Sequence, residues 1–235
     1  MSNFGKLYIV ATPIGNLEDV TLRALRTLKE VDLILCEDTR VTKKLLDRYE
    51  IQKPLLSYHH HSKLSRIEKI VEYLENGKNL ALVSDAGTPG ISDPGNELVA
   101  SLLSPKAGPL DLLRSGLRII PIPGVSAITS LASVAGINMS RFAFMGFPPH
   151  KKGREKFFRE VSEMKYPVIY FESPYRFLKN LELLSKFKPD AKLVIGRELT
   201  KMFEETKRGT LVEIADYFKL KTVKGEIVIV VGGMR

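Results

Sequence analysis

Short apolar runs alternate along the chain with segments in which apolar residues recur every three or four positions. Leu7–Ala11 (LYIVA), Val31–Cys36 (VDLILC), Asn79–Ser84 (NLALVS) and Leu117–Pro121 (LRIIP) are bounded by polar residues, Gly or Pro, as buried strands are. Between them Val20–Glu30, Thr42–Tyr49 and Ser65–Glu75 carry helical spacing, with Asp19 placed to cap the first and Asn76-Gly77 to end the third. Ser126–Ala135 reads as a helix of small and apolar residues. After Gly136 the pattern restarts. Strands are predicted at Phe142–Gly146, Pro167–Glu172, Lys192–Glu198 and Glu226–Gly232, and helices at Arg154–Lys165, Tyr175–Ser185 and Leu211–Phe218. Strands separated by helices imply α/β units. Two such runs predict two α/β domains, residues 1–122 and 123–235.

Composition narrows the class. The 235 residues are 44% hydrophobic and 27% charged, which excludes a disordered chain and allows a real core. No apolar run reaches the roughly 18 residues of a membrane span. The N-terminal stretch has no signal-peptide pattern, so a cytoplasmic location is expected. The one Cys, Cys36, ends an apolar strand and reads as a small buried hydrophobe. His59, His60 and His61 are adjacent, so they point in different directions, and no second His or Cys cluster supports them. No metal is expected; the triplet reads as a polar loop.

The net charge of +9 is unevenly placed. Residues 1–140 hold 16 Lys/Arg against 15 Asp/Glu, and residues 141–235 hold 20 against 12. The densest basic stretch runs from Arg141 to Arg159, where Arg141, Lys151, Lys152, Arg154, Lys156 and Arg159 face Glu155 alone. A lysine-rich solvated surface is the plain explanation. A basic, Pro- and Gly-rich loop (GFPPHKKGR) is also what a phosphate-backbone contact requires.

In α/β sheets the ligand crevice lies beyond the carboxyl ends of strands. Four loops there are rich in Gly, Pro, Asp, Ser and Thr: Thr12–Asn16, Glu37–Arg40, Ser84–Gly95 and Pro123–Ala127. The third has three Gly and two Pro in twelve residues, which dictates an unusual backbone path and lets a ligand approach the main chain. Asp85 and Asp93 make it a poor cradle for pyrophosphate and a better one for an adenosine ligand with a cationic sulfur. Neither G-x-G-x-x-G after the first strand nor G-x-x-x-x-G-K-[ST] is present, which disfavours a nicotinamide oxidoreductase and a nucleoside-triphosphate enzyme. Glu37, Asp38 and Arg40 suit two roles: Asp38 or Thr39 as a helix cap, or a carboxylate and an Arg handling substrate.

The motifs YIVATPIGNLEDVTLRAL, CEDTR, LVSDAGTPGISDPG, PIPGVSAI, FESPYR, GRELTK and GEIVIVVGG run in order from residue 8 to 233. On these the chain resembles the tetrapyrrole methylase superfamily, the class III S-adenosylmethionine-dependent methyltransferases. Within it the chain is similar to the subgroup that methylates a cytidine ribose 2′-oxygen in the 16S RNA of the small ribosomal subunit. The resemblance implies two α/β domains with a cofactor cleft between them, usually in a homodimer. It places S-adenosylmethionine against Pro13, Asp85, Ala86, Gly87, Ser126, Ala127, Phe171 and, more distantly, Gly225 or Glu226. Asp38, Glu198 and Lys201 become candidates to assist the attacking hydroxyl, and Arg40, Lys151, Lys152, Arg154 and Arg176 candidates to contact RNA. The chain departs from the family pattern at His150, at Tyr175, at Tyr58–Ser62 and in the longer 104–116 link. Two other readings remain: a small-molecule, tetrapyrrole-type methyltransferase, which does not need the basic second half, and a non-catalytic RNA- or ribosome-binding module.

Overall fold

The computed structural model describes residues 4–59, 64–93, 95–103 and 116–233. His60 and His61, Ser62, Pro94 and residues 104–115 lie outside the described residues. The chain divides into two compact units, Met1–Ser126 and Ala127–Arg235.

The first unit is a parallel sheet. Strands β1 (Lys6–Val10), β2 (Leu33–Cys36), β3 (Leu55–Ser57), β4 (Leu80–Leu82) and β5 (Arg118–Ile122) lie in the order β3-β2-β4-β1-β5, and every pairing is parallel. Helices α1 (Leu22–Glu30), α2 (Thr39–Arg48), α3 (Leu64–Glu75) and α4 (Gly95–Leu103) connect them. Both faces of the sheet are covered, which is why its strands read as unbroken apolar runs. Alternate residues serve opposite faces. Ile34, Cys36, Ala81 and Val83 pack with Leu28, Leu45 and Leu46, whereas Leu35, Leu80 and Leu82 pack with Ile70, Leu74, Leu98 and Leu102.

The second unit has a mixed sheet, order β6-β7-β10-β8-β9: β6 (Ala143–Phe144), β7 (Val168–Glu172), β8 (Lys192–Arg197), β9 (Glu205–Thr210) and β10 (Ile227–Val231). β6 and β7 are parallel, while β10 runs antiparallel to both β7 and β8. β7 and β8 therefore point the same way. Helices α6 (Arg154–Glu163), α7 (Phe177–Ser185) and α8 (Leu211–Lys219) cover one face, where Phe157, Phe158, Phe177 and Phe218 surround Tyr170, Ile195 and Ile229. Helix α5 (Ala127–Val134) covers the other, with Ile128 and Leu131 against Ile169, Val194 and Val228. Gly196 permits that approach: a Cβ there would lie 2.9 Å from a Leu131 methyl.

Several expectations are corrected. The cap of α1 is Thr21, whose side chain accepts from the Ala24 N–H; Asp19 instead lies in a short 3₁₀ turn, Leu17–Asp19. β3, α4 and β9 lie outside the elements that the sequence pattern predicts. β9 (ETKRGT) is a polar edge strand paired, among the described residues, with β8 alone, and β3 is three residues long. The strand expected over Phe142–Gly146 contracts to two residues.

Polar contacts finish the second unit. Helix α8 opens with a capping box in which Thr210 and Glu213 satisfy each other's backbone N–H groups. Nearby, Glu205 accepts from Arg197 Nε at 3.0 Å, from Lys221 Nζ at 3.1 Å and from the Tyr217 hydroxyl. Burial works to raise the Glu205 carboxyl, but the bonds from Tyr217, Lys221 and Arg197 outweigh it and hold the pKa at about 2. A carboxyl depressed from its ordinary value of about 4.3 stabilises the fold above that value and loses the contribution as pH falls towards 2. Urea unfolding between pH 5 and about pH 2 is expected to show a smaller acid-induced loss of stability for Glu205→Gln than for the wild type. Equal losses would remove Glu205 from the account.

Candidate functional site

In the first unit all five strands are parallel, so their carboxyl ends share one edge. Every candidate of that unit falls there: Pro13 after β1, Asp38 and Arg40 after β2, Asp85, Ala86 and Gly87 after β4, and Ser126 after β5.

The loops after β1 and β4 are tied together. The Thr12 N–H donates to the Gly87 carbonyl at 2.9 Å, and the Gly87 N–H donates back to the Thr12 carbonyl at 3.0 Å. The buried Thr12 hydroxyl adds a bond to the Ser84 carbonyl at 3.2 Å. Gly87 sits at φ +78°, a region costly for other residues, and a Cβ there would lie 3.4 Å from Ile14. Gly124 brings the loop after β5 against β1, since its Cβ would lie 2.9 Å from that of Ala11. Thr12 was not singled out by sequence; its role shows only in the pairing.

The two acids of the β4 loop have different jobs. Asp93 turns inward, and one of its oxygens accepts from the Gly90 N–H at 2.7 Å and from the Gly95 N–H at 2.8 Å. It thus closes the loop and satisfies an orphan donor at the start of α4. Asp85 is exposed, and its carboxylate accepts from the Asp38 N–H at 3.0 Å. Loss of water around that carboxyl raises its pKa, against the lowering effect of the Asp38 N–H. A small recess beneath, lined by Glu37, Tyr58, Ser84, Pro89, Asp93 and Gly95, adjoins the loop.

Asp38 serves as the cap of α2, where it accepts from the Arg40 N–H at 2.8 Å and binds the Arg40 guanidinium with both oxygens. The Arg40 side chain and backbone bonds hold its carboxyl at about 2. The capping role and the ion pair therefore coexist.

The second unit gathers its candidates at another shared edge. The ends of β6, β7 and β8 and the start of β10 lie together, since Ile227 pairs with both Glu172 and Arg197. The connection from β8 to β9 bends through Glu198 at φ 51° and Thr200 at φ 66°, strained values for residues with a Cβ. Lys201 spans the bend, with Nζ 3.0 Å from Glu198 and 3.1 Å from Glu226. The Glu226 N–H also donates to Glu198 at 2.8 Å. Burial disfavours the Lys201 ammonium, but the two carboxylates outweigh it and raise the pKa. For Glu198, burial is likewise outweighed, by the Glu226 N–H and by Lys201, and the pKa falls.

Arg154 and Arg176 are committed to internal contacts. Glu172, fully buried at the end of β7, accepts from Asn180 at 2.6 Å and the Ser173 N–H at 2.7 Å, with Arg176 Nε 4.0 Å away. Burial raises its pKa against those partners. Arg176 also meets the His150 ring, and Arg154 donates to the carbonyls of Pro149 and His150. Both arginines thus brace the loop that carries Lys151 and Lys152, which are themselves exposed. Phe171 is half-buried, with ring centroids 5.0 Å from Phe144 and 5.2 Å from Phe147. Ala127 opens α5.

A family model described as tetrapyrrole (corrin/porphyrin) methylases matches residues 6–215. The chain belongs to the tetrapyrrole methylase family. Among curated relatives of this methylase chain, a ribosomal RNA small subunit methyltransferase I of Thermotoga maritima is 44% identical over 229 residues, covering 97% of this chain and 99% of the relative. Its namesake in Bacillus subtilis is 43% identical over 233 residues, covering 99% of this chain and 76% of the relative. Solved structures share the fold at low identity. The methyltransferase CobJ aligns with TM-score 0.71 at 20% identity, over 97% of this chain and 94% of that one. A diphthine synthase aligns with TM-score 0.70 at 16% identity, over 97% and 90%. Among the described residues no cluster of His, Cys, Asp and Glu could hold a metal, and no helix is long and apolar enough to cross a membrane.

The Asp93 reading has a direct check. Asp93→Ala leaves the Gly90 and Gly95 N–H groups without their acceptor and is expected to cost roughly 1–3 kcal/mol in denaturant unfolding of the first unit. Asp93→Asn, which keeps an acceptor oxygen, should recover most of that loss.

Proposed function

We propose that this chain transfers a methyl group from S-adenosylmethionine to the ribose 2′-oxygen of a cytidine in 16S ribosomal RNA. The observation that carries the reading is the 44% identity, over nearly the full length of both chains, to a relative named ribosomal RNA small subunit methyltransferase I. A +8 excess in residues 141–235 supports an anionic polymer as substrate. A homodimer and a cytoplasmic location complete the proposal.

The first unit's loops fit the cofactor. The Thr12–Gly87 pairing and the missing Cβ of Gly87 leave main chain at the surface of the β4 loop, where Asp85 and Ala86 are exposed. An anionic Asp85 suits a cationic ligand, and Asp93 is already occupied by its own loop. In this proposal Pro13, Asp85, Ala86, Gly87 and Ser126 of the first unit hold S-adenosylmethionine. When bound, the cofactor supplies an electrophilic methyl on a sulfonium.

The protein's own residues then have two tasks. The first is alignment of the hydroxyl with the methyl, to which much of the rate is owed. The second is disposal of the hydroxyl proton. Asp38 and Glu198 are held ionised, and their depressed pKa values make them weak bases. Lys201 is held protonated and acts as a positive charge near Glu198 and Glu226, not as a base. A weak base suffices because an oxygen that has accepted a methyl is strongly acidic, so the proton can leave to a carboxylate or to water after the bond forms.

Two experiments test this. Labelled methyl should appear on small subunits or their RNA, in an alkali-resistant dinucleotide that contains cytidine. Label on a tetrapyrrole or a protein would contradict the proposal, as would salt-sensitive RNA binding with no thermal shift on adding S-adenosylmethionine. The single-turnover rate should also be nearly flat from about pH 6 to pH 9, whereas a neutral Lys201 acting as base would make it climb about tenfold per unit.

A further inference from the structure

The second unit exposes large apolar side chains at the edge where its basic loop also emerges. Tyr175, after β7, is 93% exposed; Met202 and Phe203, between β8 and β9, are 91% and 69% exposed; Phe147, after β6, is 52% exposed. None of the three flat or soft side chains beyond Phe147 belongs to the unit's core clusters. The strand order places the loops that carry them within a few strand spacings of one another, about 10–15 Å from the end of β7 to the start of β9. Phe147 is propped by Phe171, with ring centroids 5.2 Å apart.

The setting is cationic. Lys151 and Lys152 are exposed on the loop after β6, and Lys224 is exposed just before β10. Arg154 and Arg176 hold that loop in place through Pro149, His150 and Glu172. Exposed flat rings beside a braced basic loop match the needs of an unpaired nucleic acid strand, whose bases stack on aromatic faces while its phosphates meet lysines. A duplex presents no free base faces to such rings.

We propose that Tyr175, Met202 and Phe203 form a base-stacking platform for an unpaired RNA segment, with Lys151 and Lys152 holding its backbone. This deepens the RNA reading above and rests on it for the identity of the polymer. On this account the enzyme selects RNA by the availability of unstacked bases beside the modified one.

The test is fluorescence anisotropy with a labelled, unpaired pyrimidine-rich oligoribonucleotide and the same strand closed into a duplex, at fixed ionic strength. The expected result is tighter binding of the unpaired strand, weakened about 5- to 100-fold by Tyr175→Ala or Phe203→Ala. Tyr175→Phe keeps the ring and should bind within about twofold of wild type, with the salt dependence of all three unchanged. Lys151→Glu with Lys152→Glu should instead reduce the salt dependence. Unaltered binding by both alanine variants overturns the platform. So does a change of oligomeric state in light scattering without loss of RNA affinity, which would make this face a contact between protein chains. Methyl transfer is measured on the same samples. Transfer without any effect of the alanine variants defeats the platform alone, and platform-dependent binding without transfer defeats the enzymatic reading alone.

Discussion

The candidate site of the first unit depends on the reciprocal backbone bonds between Thr12 and Gly87. They join the loops that leave two adjacent strands, β1 and β4, and so convert two flexible connections into one shaped surface. The pairing needs a residue at Gly87 that tolerates φ +78° and a close neighbour in Ile14. Asp93 performs the complementary task further along the same loop by gathering the Gly90 and Gly95 N–H groups. With Asp93 committed inward, Asp85 is left as the exposed carboxylate of the loop. A preshaped backbone lowers the ordering entropy that a ligand must otherwise supply.

Several charged groups at and near the candidate sites are already partnered. Asp38 is matched by Arg40, Lys201 by Glu198 and Glu226, and Glu205 by Arg197, Lys221 and Tyr217. These pairs hold carboxylates ionised and Lys201 protonated, which suits a reaction limited by alignment better than one limited by a strong base. The arginines of the basic loop brace it, so the lysines carry the exposed charge. Sequence alone could not separate the two, because Lys151, Lys152, Arg154 and Arg176 contribute equally to a charge count.

The core was legible because buried strands are continuous apolar runs: LYIVA, VDLILC and EIVIVVG all lie on or overlap observed strands. What hid was whatever lacked that signal. ETKRGT is a polar edge strand, LLS is too short to show a period, and α4 begins inside the Gly- and Pro-rich loop. The direction of β10 was invisible too, since IVIVV satisfies a parallel or an antiparallel neighbour equally well. At the site, the motifs located the loops and offered Asp38 or Thr39 as a cap, whereas the roles of Thr12, Asp93 and Glu172 required coordinates. Their roles are hydrogen bonds that no apolar pattern announces, local ones for Asp93 and Glu172 and one to Gly87, 75 positions away, for Thr12.

The central claim is that the backbone shape set by Thr12 and Gly87 makes the proposed cofactor site. Isothermal titration of S-adenosylmethionine into the wild type and into Gly87→Val tests it most directly, with circular dichroism as the check on folding. The account predicts saturable binding to the wild type and a loss of at least about tenfold in the variant, because a β-branched residue at φ +78° must displace the loop. Undiminished binding by a folded Gly87→Val protein would contradict it.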